Sequence, residues 1–344
     1  MQFESSALTI AIPTYGRPQE LRRCVQLLRN QSSRQFHLLI LDNASPMPAA
    51  SALEGLLDDF PAESVRLVRN RFNIGGDANI LRCFELCETE YLWVLGDDDE
   101  PLADAVETVL KAIRRNPGTL FFNFACELYP RSKESMSHTL DEFIASIDSF
   151  SNVLFTSTSV FRCQDLAPYL SFGYHLIYSM ASQIVLVLYS LMAKPANCLF
   201  LKSQIVNWAV PPEGIRWSGV TQLLGLGVLL DLPLSGENRT RIARLVTSPT
   251  SLEFVTVQLL AYRRNSGDTD GAYQVFDQVY ARLLLHAGRR TVRLRYWIYR
   301  CSLLWIPPAI GLALFRFIGK CAGRGQSAFD FRATFLEQCL PPRS

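Results

Sequence analysis

Residues Tyr91 to Pro101 read YLWVLGDDDEP: five consecutive apolar residues, a glycine, then Asp97-Asp98-Asp99. An apolar run this short, closed by a turn signal, predicts a strand buried on both faces. Three adjacent carboxylates repel one another, so placing them directly after such a strand is costly unless a cation or hydrogen-bond donors compensate. Hard divalent cations such as Mn²⁺ and Mg²⁺ prefer oxygen ligands of this kind and link carboxylates to phosphates. The simpler reading is a solvated acidic turn that favours the start of a helix, predicted from Pro101 to about Arg115.

The same pattern extends to both sides. Leu8–Ile12 (LTIAI), Phe36–Leu41 (FHLLIL), Val65–Val68 and Thr119–Phe124 predict further strands. Between them, helices are predicted from Arg17-Pro18, over Ala49–Asp59 and after Gly75-Gly76, where Ala78, Leu81, Phe84 and Cys87 share one side. Continuous apolar strands alternating with helices imply an α/β chain with a mostly parallel sheet covered on both faces. Ligands of such sheets sit beyond the carboxyl ends of the strands. The stretches found there are Pro13-Thr14-Tyr15, Asp42-Asn43, the Asn70–Asp77 loop and Gly96–Asp99.

Composition sets outer bounds. The 344 residues are 49% hydrophobic and 19% charged, which excludes a disordered or fibrous chain. A net charge of +2 excludes a protein built to coat nucleic acid. Nine cysteines, an odd number without a CxxC, predict reduced thiols in a cytoplasmic protein rather than a disulfide framework or a zinc site. No secretory leader and no membrane-spanning apolar run is read from the sequence.

Taken together, TIAIPTYGRP, LLILDNAS, NIGGDAN and YLWVLGDDDEP, in this order and spacing, resemble the nucleotide-sugar half of family 2 glycosyltransferases, which have the GT-A fold. The GDDD form is most similar to the abequosyltransferase-like group, which adds sugars to bacterial surface polysaccharides. The resemblance covers residues 7 to 130. It implies transfer from a nucleoside diphosphate sugar, with inversion at the anomeric carbon and a Mn²⁺ or Mg²⁺ ion. It implies that Tyr15 stacks on the base, that Pro13 and Thr14 touch the nucleotide through their backbone, and that Asp42 accepts hydrogen bonds from the base; the simpler reading of Asp42 is an Asx-turn residue. Asn73, Gly75 and Gly76 would offer backbone N–H groups to an anion at a helix N-terminus, and Arg71 would contact base or diphosphate. Family members often carry Asp-x-Asp-Asp where this chain has Gly96-Asp97-Asp98-Asp99. One alignment makes Asp98 the metal ligand with Asp97 at the ribose; the other makes Asp99 the ligand.

The expected division is 1–125 for the donor half, 126–235 for the acceptor half of the same domain, and 236–344 for a helical, basic C-terminal region. Residues 126–150 are polar and predict a linker or loop over the site, and Val153–Phe161 resembles the strand that begins the family's acceptor region. The family base is an Asp or Glu soon afterwards, yet no acidic residue lies between Asp165 and Glu213. His175, Asp165 and Glu213 are therefore the candidates for deprotonating the acceptor. Trp217, in PPEGIRWSG, would stack on a sugar ring, and Arg216 would meet phosphate. From Gln278 to Phe329 there are nine Arg and Lys and no Asp or Glu, around the uncharged stretch Cys301–Phe315. This pattern predicts contact with an anionic membrane surface; the resemblance implies a glycan acceptor carried on polyprenyl diphosphate, met on the inner face of the bacterial cytoplasmic membrane. The other readings are a buried helical hairpin here, and a non-catalytic scaffold at the membrane for the chain as a whole.

Overall fold

The computed structural model describes residues 7–207, 219–247, 251–267, 269–279, 283, 285–287 and 290–321. The chain divides into two compact units, Met1–Gly214 and Ile215–Ser344.

The first unit is built on a sheet of eight strands. They are β1 (Leu8–Thr14), β2 (His37–Asp42), β3 (Val65–Arg69), β4 (Tyr91–Val94), β6 (Phe121–Ala125), β7 (Ser135–Ser137), β8 (Ser159–Arg162) and β9 (Cys198–Gln204), in the spatial order β3-β2-β1-β4-β8-β6-β9-β7. Two short strands, β5 (Glu100–Pro101) and β10 (Val206–Asn207), pair separately. β3, β2, β1 and β4 are mutually parallel, and β6 is parallel to β9. β8 runs antiparallel between β4 and β6. The four parallel strands thus end together at Thr14, Asp42, Arg69 and Val94, and the loops leaving them share one edge.

Helices cover both faces, as the continuous apolar strands require. Leu21, Cys24, Val25 and Leu28 of the helix Pro18–Arg29, and Val106, Val109 and Ile113 of the helix Ala105–Arg115, bury against Ile10, Ile12 and Trp93. On the other face Phe84 meets Phe161 at 5.1 Å between ring centroids, and Phe121 meets Phe143 at 5.7 Å. The helix Ser182–Ala193 is buried almost all round, which its near-uniform apolar sequence dictates.

Three local expectations are corrected. The helix expected at Pro101 begins at Ala105, because Glu100-Pro101 is taken up by β5. Residues 126–150 are not a linker: they hold β7 and the helix Leu140–Ser146, whose N-terminus is closed by reciprocal bonds between Thr139 and Glu142. Buried Arg131 braces this stretch, donating to the Asn123 carbonyl at 2.8 Å and to Asn123 Oδ1 at 2.7 Å. The strand expected over Val153–Phe161 starts only at Ser159. Ser149 caps a helix at Phe150–Leu154, and the Thr158 hydroxyl turns back onto the carbonyls of Asn152 and Phe155, both at 2.8 Å.

The second unit is helical over its described residues, with longer helices at Ser251–Ser266, Thr269–Val279, Arg290–Trp305 and Pro308–Cys321. No described helix is long and apolar enough to cross a membrane.

Candidate donor site

The Asp97–Asp99 stretch leaves β4 in a tight turn, closed by the Asp99 N–H donating to the Gly96 carbonyl at 3.2 Å. The turn separates the three carboxylates. Asp97 is 4% exposed and Asp99 6%, whereas the side chain of Asp98 is 21% exposed. Thr14, at the end of β1, donates its hydroxyl to Asp97 Oδ2 at 2.6 Å, and Arg17 donates to Asp97 Oδ1 at 2.8 Å. The same Arg17 nitrogen lies 2.8 Å from Asp98 Oδ2. Ser157, just before β8, donates its hydroxyl to Asp99 Oδ2 at 2.6 Å and accepts from the Gly96 N–H at 2.8 Å. The buried indole of Trp93 donates to the Ser157 carbonyl at 2.8 Å, which holds that serine in place. Burial pushes the Asp97 carboxyl up to about 6, against the opposing pull of Arg17 and Thr14.

The cation the carboxylates need is thus present within the fold, as the Arg17 guanidinium between Asp97 and Asp98. The donor set offered to a second cation is hard oxygen only. It suits an ion that takes one or two carboxylates and completes its shell from phosphate and water, not one needing an all-protein cage.

The adjoining loops are bound to one another. Asp42 is fully buried; it accepts from the Ser45 N–H at 2.8 Å, the Ala49 N–H at 3.0 Å and the Arg69 guanidinium. Burial works against its charge, but these bonds win and hold its carboxyl below the ordinary range. In this structure Asp42 does the work of an Asx-turn residue, organising the loop after β2. Ser45, at the end of that turn, accepts from the Gly16 N–H at 3.0 Å, and Gly16 takes a left-handed φ of 68°. The result leaves Tyr15 47% exposed on the same edge.

Asn43 ties this loop to the next. It donates to Asn73 Oδ1 at 2.8 Å and to the Gly75 carbonyl at 3.2 Å, and its own oxygen accepts from Asn70 and from the Ile74 N–H. Asn73 also accepts from the Gly75 N–H at 2.9 Å, and Gly75, at φ 88°, opens the helix Gly76–Leu86. Arg71 lies with its guanidinium 5.1 Å from the Phe72 ring, on an exposed surface. Asp77, in the helix's first turn, is pushed up to about 6 by burial.

The structure therefore brings Thr14, Asp97, Asp98 and Asp99 together, with Arg17 and Ser157 added. Asn43, Asn73 and Gly75 are joined in the neighbouring loop. It does not bring Asp165 there. β8 is antiparallel to β4, with Tyr91 opposite Arg162 and Trp93 opposite Val160. Ser157 thus falls at the carboxyl end of β4, while Asp165 falls beyond its amino end, held by Arg162 and Lys194 at 2.9 Å each. Arg162 in turn binds Glu90, the residue before β4, at 2.8 Å. His175 is exposed at the end of the helix Leu170–His175. Its neighbour Tyr174 fastens that helix by donating to Glu85 at 2.8 Å. Glu213, Arg216 and Trp217 lie outside the described residues.

Arg17, Asn43 and Ser157 carry much of the geometry, and the sequence reading gave none of them a role. Asn43 stands within a post-strand stretch already singled out, so position alone could have found it, whereas Arg17 lies two residues beyond Tyr15 at the expected helix start. Ser157 lies 58 residues from Asp99, and no local pattern points to it.

Residues 9–177 match the family described as glycosyl transferase family 2. The abequosyltransferase RfbV of Salmonella typhimurium is 29% identical over 107 residues, 29% of this chain and 30% of that protein. A GalNAc(5)-diNAcBac-PP-undecaprenol beta-1,3-glucosyltransferase of Campylobacter jejuni is 23% identical over 120 residues, 35% of this chain and 38% of that protein. The aligned stretches span about a third of these relatives' length. Among solved structures, S. aureus TarS 1-349 in complex with UDP superposes with a TM-score of 0.56 at 14% identity, over 86% of this chain and 90% of that one. The same protein with UDP-GlcNAc gives 0.56 at 12%, over 93% of both. At these identities the likeness is one of fold. Residues 9–177 thus form a family 2 glycosyltransferase domain of GT-A fold.

Proposed function

We propose that this chain moves a sugar from a nucleoside diphosphate sugar to a hydroxyl of a glycan or lipid-linked glycan in bacterial surface-polysaccharide synthesis, with inversion. The observation that carries this reading is the division of labour among the three carboxylates. Asp97 and Asp99 are buried and anchored, and Asp98, paired with Arg17, is the most exposed of the three at the carboxyl end of β4.

Asp98, with Asp97 beside it, would hold Mn²⁺ or Mg²⁺, which when bound neutralises charge on the diphosphate leaving group. Asp97, fixed by Thr14 at the end of β1, would be the residue at the ribose. Exposed Tyr15 provides a face for the base, and Pro13 and Thr14 present backbone to it. Asp42 acts behind them, through the turn it organises. Gly75, Gly76, Asn73 and Arg71 border the site on the β3 side. The acceptor hydroxyl must lose a proton as it attacks the anomeric carbon. Asp165 lies at the other end of the sheet; His175 or Glu213 would take this proton, and Trp217 would stack on a sugar ring. The Campylobacter relative's name specifies an undecaprenol-linked acceptor, and TarS was solved with UDP and UDP-GlcNAc. The first supports a lipid-linked glycan acceptor and the second a nucleotide-sugar donor; their meeting would be peripheral, at the inner face of the cytoplasmic membrane.

The test is a melting panel of UDP, CDP, GDP and dTDP, each with Mn²⁺ or with chelator, on wild type and Asp98→Ala. One nucleotide is expected to stabilise wild type in the presence of metal and to leave the variant unmoved. A ligand at ~100 times its dissociation constant adds ~2.7 kcal/mol. Stabilisation by no nucleotide under either condition would instead favour the scaffold reading.

A further inference from the structure

The second unit carries two helices whose outward sides are apolar. In the helix Arg290–Trp305, Leu294 is 70% exposed, Trp297 57%, Ile298 54% and Trp305 81%, with exposed Cys301 between them. Their spacing of three and four residues places them on one side of the helix. In the helix Pro308–Cys321, Ile310, Leu314 and Phe317 repeat the pattern at 61%, 45% and 66%.

The opposite sides are firmly seated. Leu303 and Leu312 are buried, and a Cβ on Gly311 would come within 2.9 Å of Leu260, so this helix lies hard against Ser251–Ser266. Arg263 fixes the corner between the two helices, donating to the carbonyls of Leu303 and Ile306. Tyr296 donates to Asp277 at 2.7 Å, and the Arg300 guanidinium lies 4.5 Å from the Tyr273 ring. The outward apolar side chains are therefore not a misplaced core: the core-facing side of each helix is already filled.

An exposed apolar surface of this kind marks an interaction site. We propose that these two helices lie in the plane of an anionic bilayer surface, with Leu294, Trp297, Ile298, Trp305, Ile310 and Phe317 entering its interface. It takes from the proposed function its setting at a membrane, and adds which face meets the lipid. Charge decides the occupant. Between 290 and 321 there are six Arg and Lys and no Asp or Glu. Arg300 is turned to Tyr273 and Asp277, but two copies of so basic a segment would still repel, whereas anionic headgroups complement it. Tryptophans on the outward side suit the boundary between headgroups and acyl chains. Neither helix is long and apolar enough to cross the bilayer, and Pro308 starts the second, so both lie along it.

The full chain is floated with vesicles of phosphatidylcholine alone or mixed with phosphatidylglycerol, as wild type, Trp305→Glu and Phe317→Glu. Both positions are exposed, and cooperative melting at the wild-type temperature without ligand verifies that each variant is folded. Wild type is expected to float with the phosphatidylglycerol vesicles and to be released by salt. Each variant is expected to lower the bound fraction about tenfold. Wild type that stays at the bottom, variants that float like wild type, or a dimer that the variants dissociate would each overturn the proposal. A failure of the donor reading shows differently, as flotation without any nucleotide-dependent melting shift.

Discussion

A Cβ on Gly96 would stand 2.5 Å from Asp99 Oδ2 and 3.2 Å from Asp98 Oδ1. The turn folds the Asp99 carboxylate back under residue 96, where Ser157 takes hold of it, and leaves no room for a side chain. Gly96→Ala is expected to lose about 1–3 kcal/mol of stability by overpacking, and transfer activity by at least about tenfold, since Asp98 shifts with the turn. Urea unfolding and turnover measured together check this; a variant that matches wild type in both would show that the turn tolerates a methyl. The glycine and the acids were legible as a motif. The separate tasks of the acids were not, because Thr14, Arg17 and Ser157 lie 83, 80 and 58 residues from the carboxylates they hold.

At the scale of elements, the direction of β8 governs which residues reach the site. Its antiparallel course returns the chain to the Asp97–Asp99 edge just before Ser159 and carries it away again to Asp165. Asp165→Asn is accordingly expected to leave the transfer rate within about twofold and to cost about 1 kcal/mol of stability from its ion pairs. A collapse of the rate constant with substrate binding intact would return Asp165 to the list of bases. The parallel strands were legible because LTIAI, FHLLIL and YLWVL are unbroken apolar runs. The region from 149 to 158 was not, because its apolar residues fit a strand while Ser149 and Thr158 use their hydroxyls to build turns of helix. Periodicity cannot register that competition.

Stability belongs to the whole molecule, and the donor edge draws on it. Asp77 has a carboxyl raised to about 6 by burial in the first turn of its helix. Because its folded value exceeds its unfolded value, the folded state takes up a proton. The contribution is full below about pH 4 and is lost as pH rises through about 6. Asp77→Asn removes the titration, so the variant is expected to be more stable than wild type at pH 7 by about 1–2 kcal/mol, with no such gain at pH 4. Melting curves across that range decide it, and a wild type that remains the more stable at pH 8 would refute it. The two units also differ in legibility. The first could be read from strand grammar and a family likeness. For the second the sequence supplied helices and a charge bias, but which side of each helix is packed was settled only by contacts such as Gly311 on Leu260.

Trp93 is fully buried, and its indole N–H is bonded to the carbonyl of Ser157, whose hydroxyl grips Asp99. Trp297 and Trp305, by contrast, face outward. Among the described tryptophans, an indole in so apolar a setting emits to the blue of the exposed pair. The carboxylate turn therefore carries its own optical reporter: any rearrangement that loosens Asp99 reaches the Trp93 chromophore through a single serine, with no label attached.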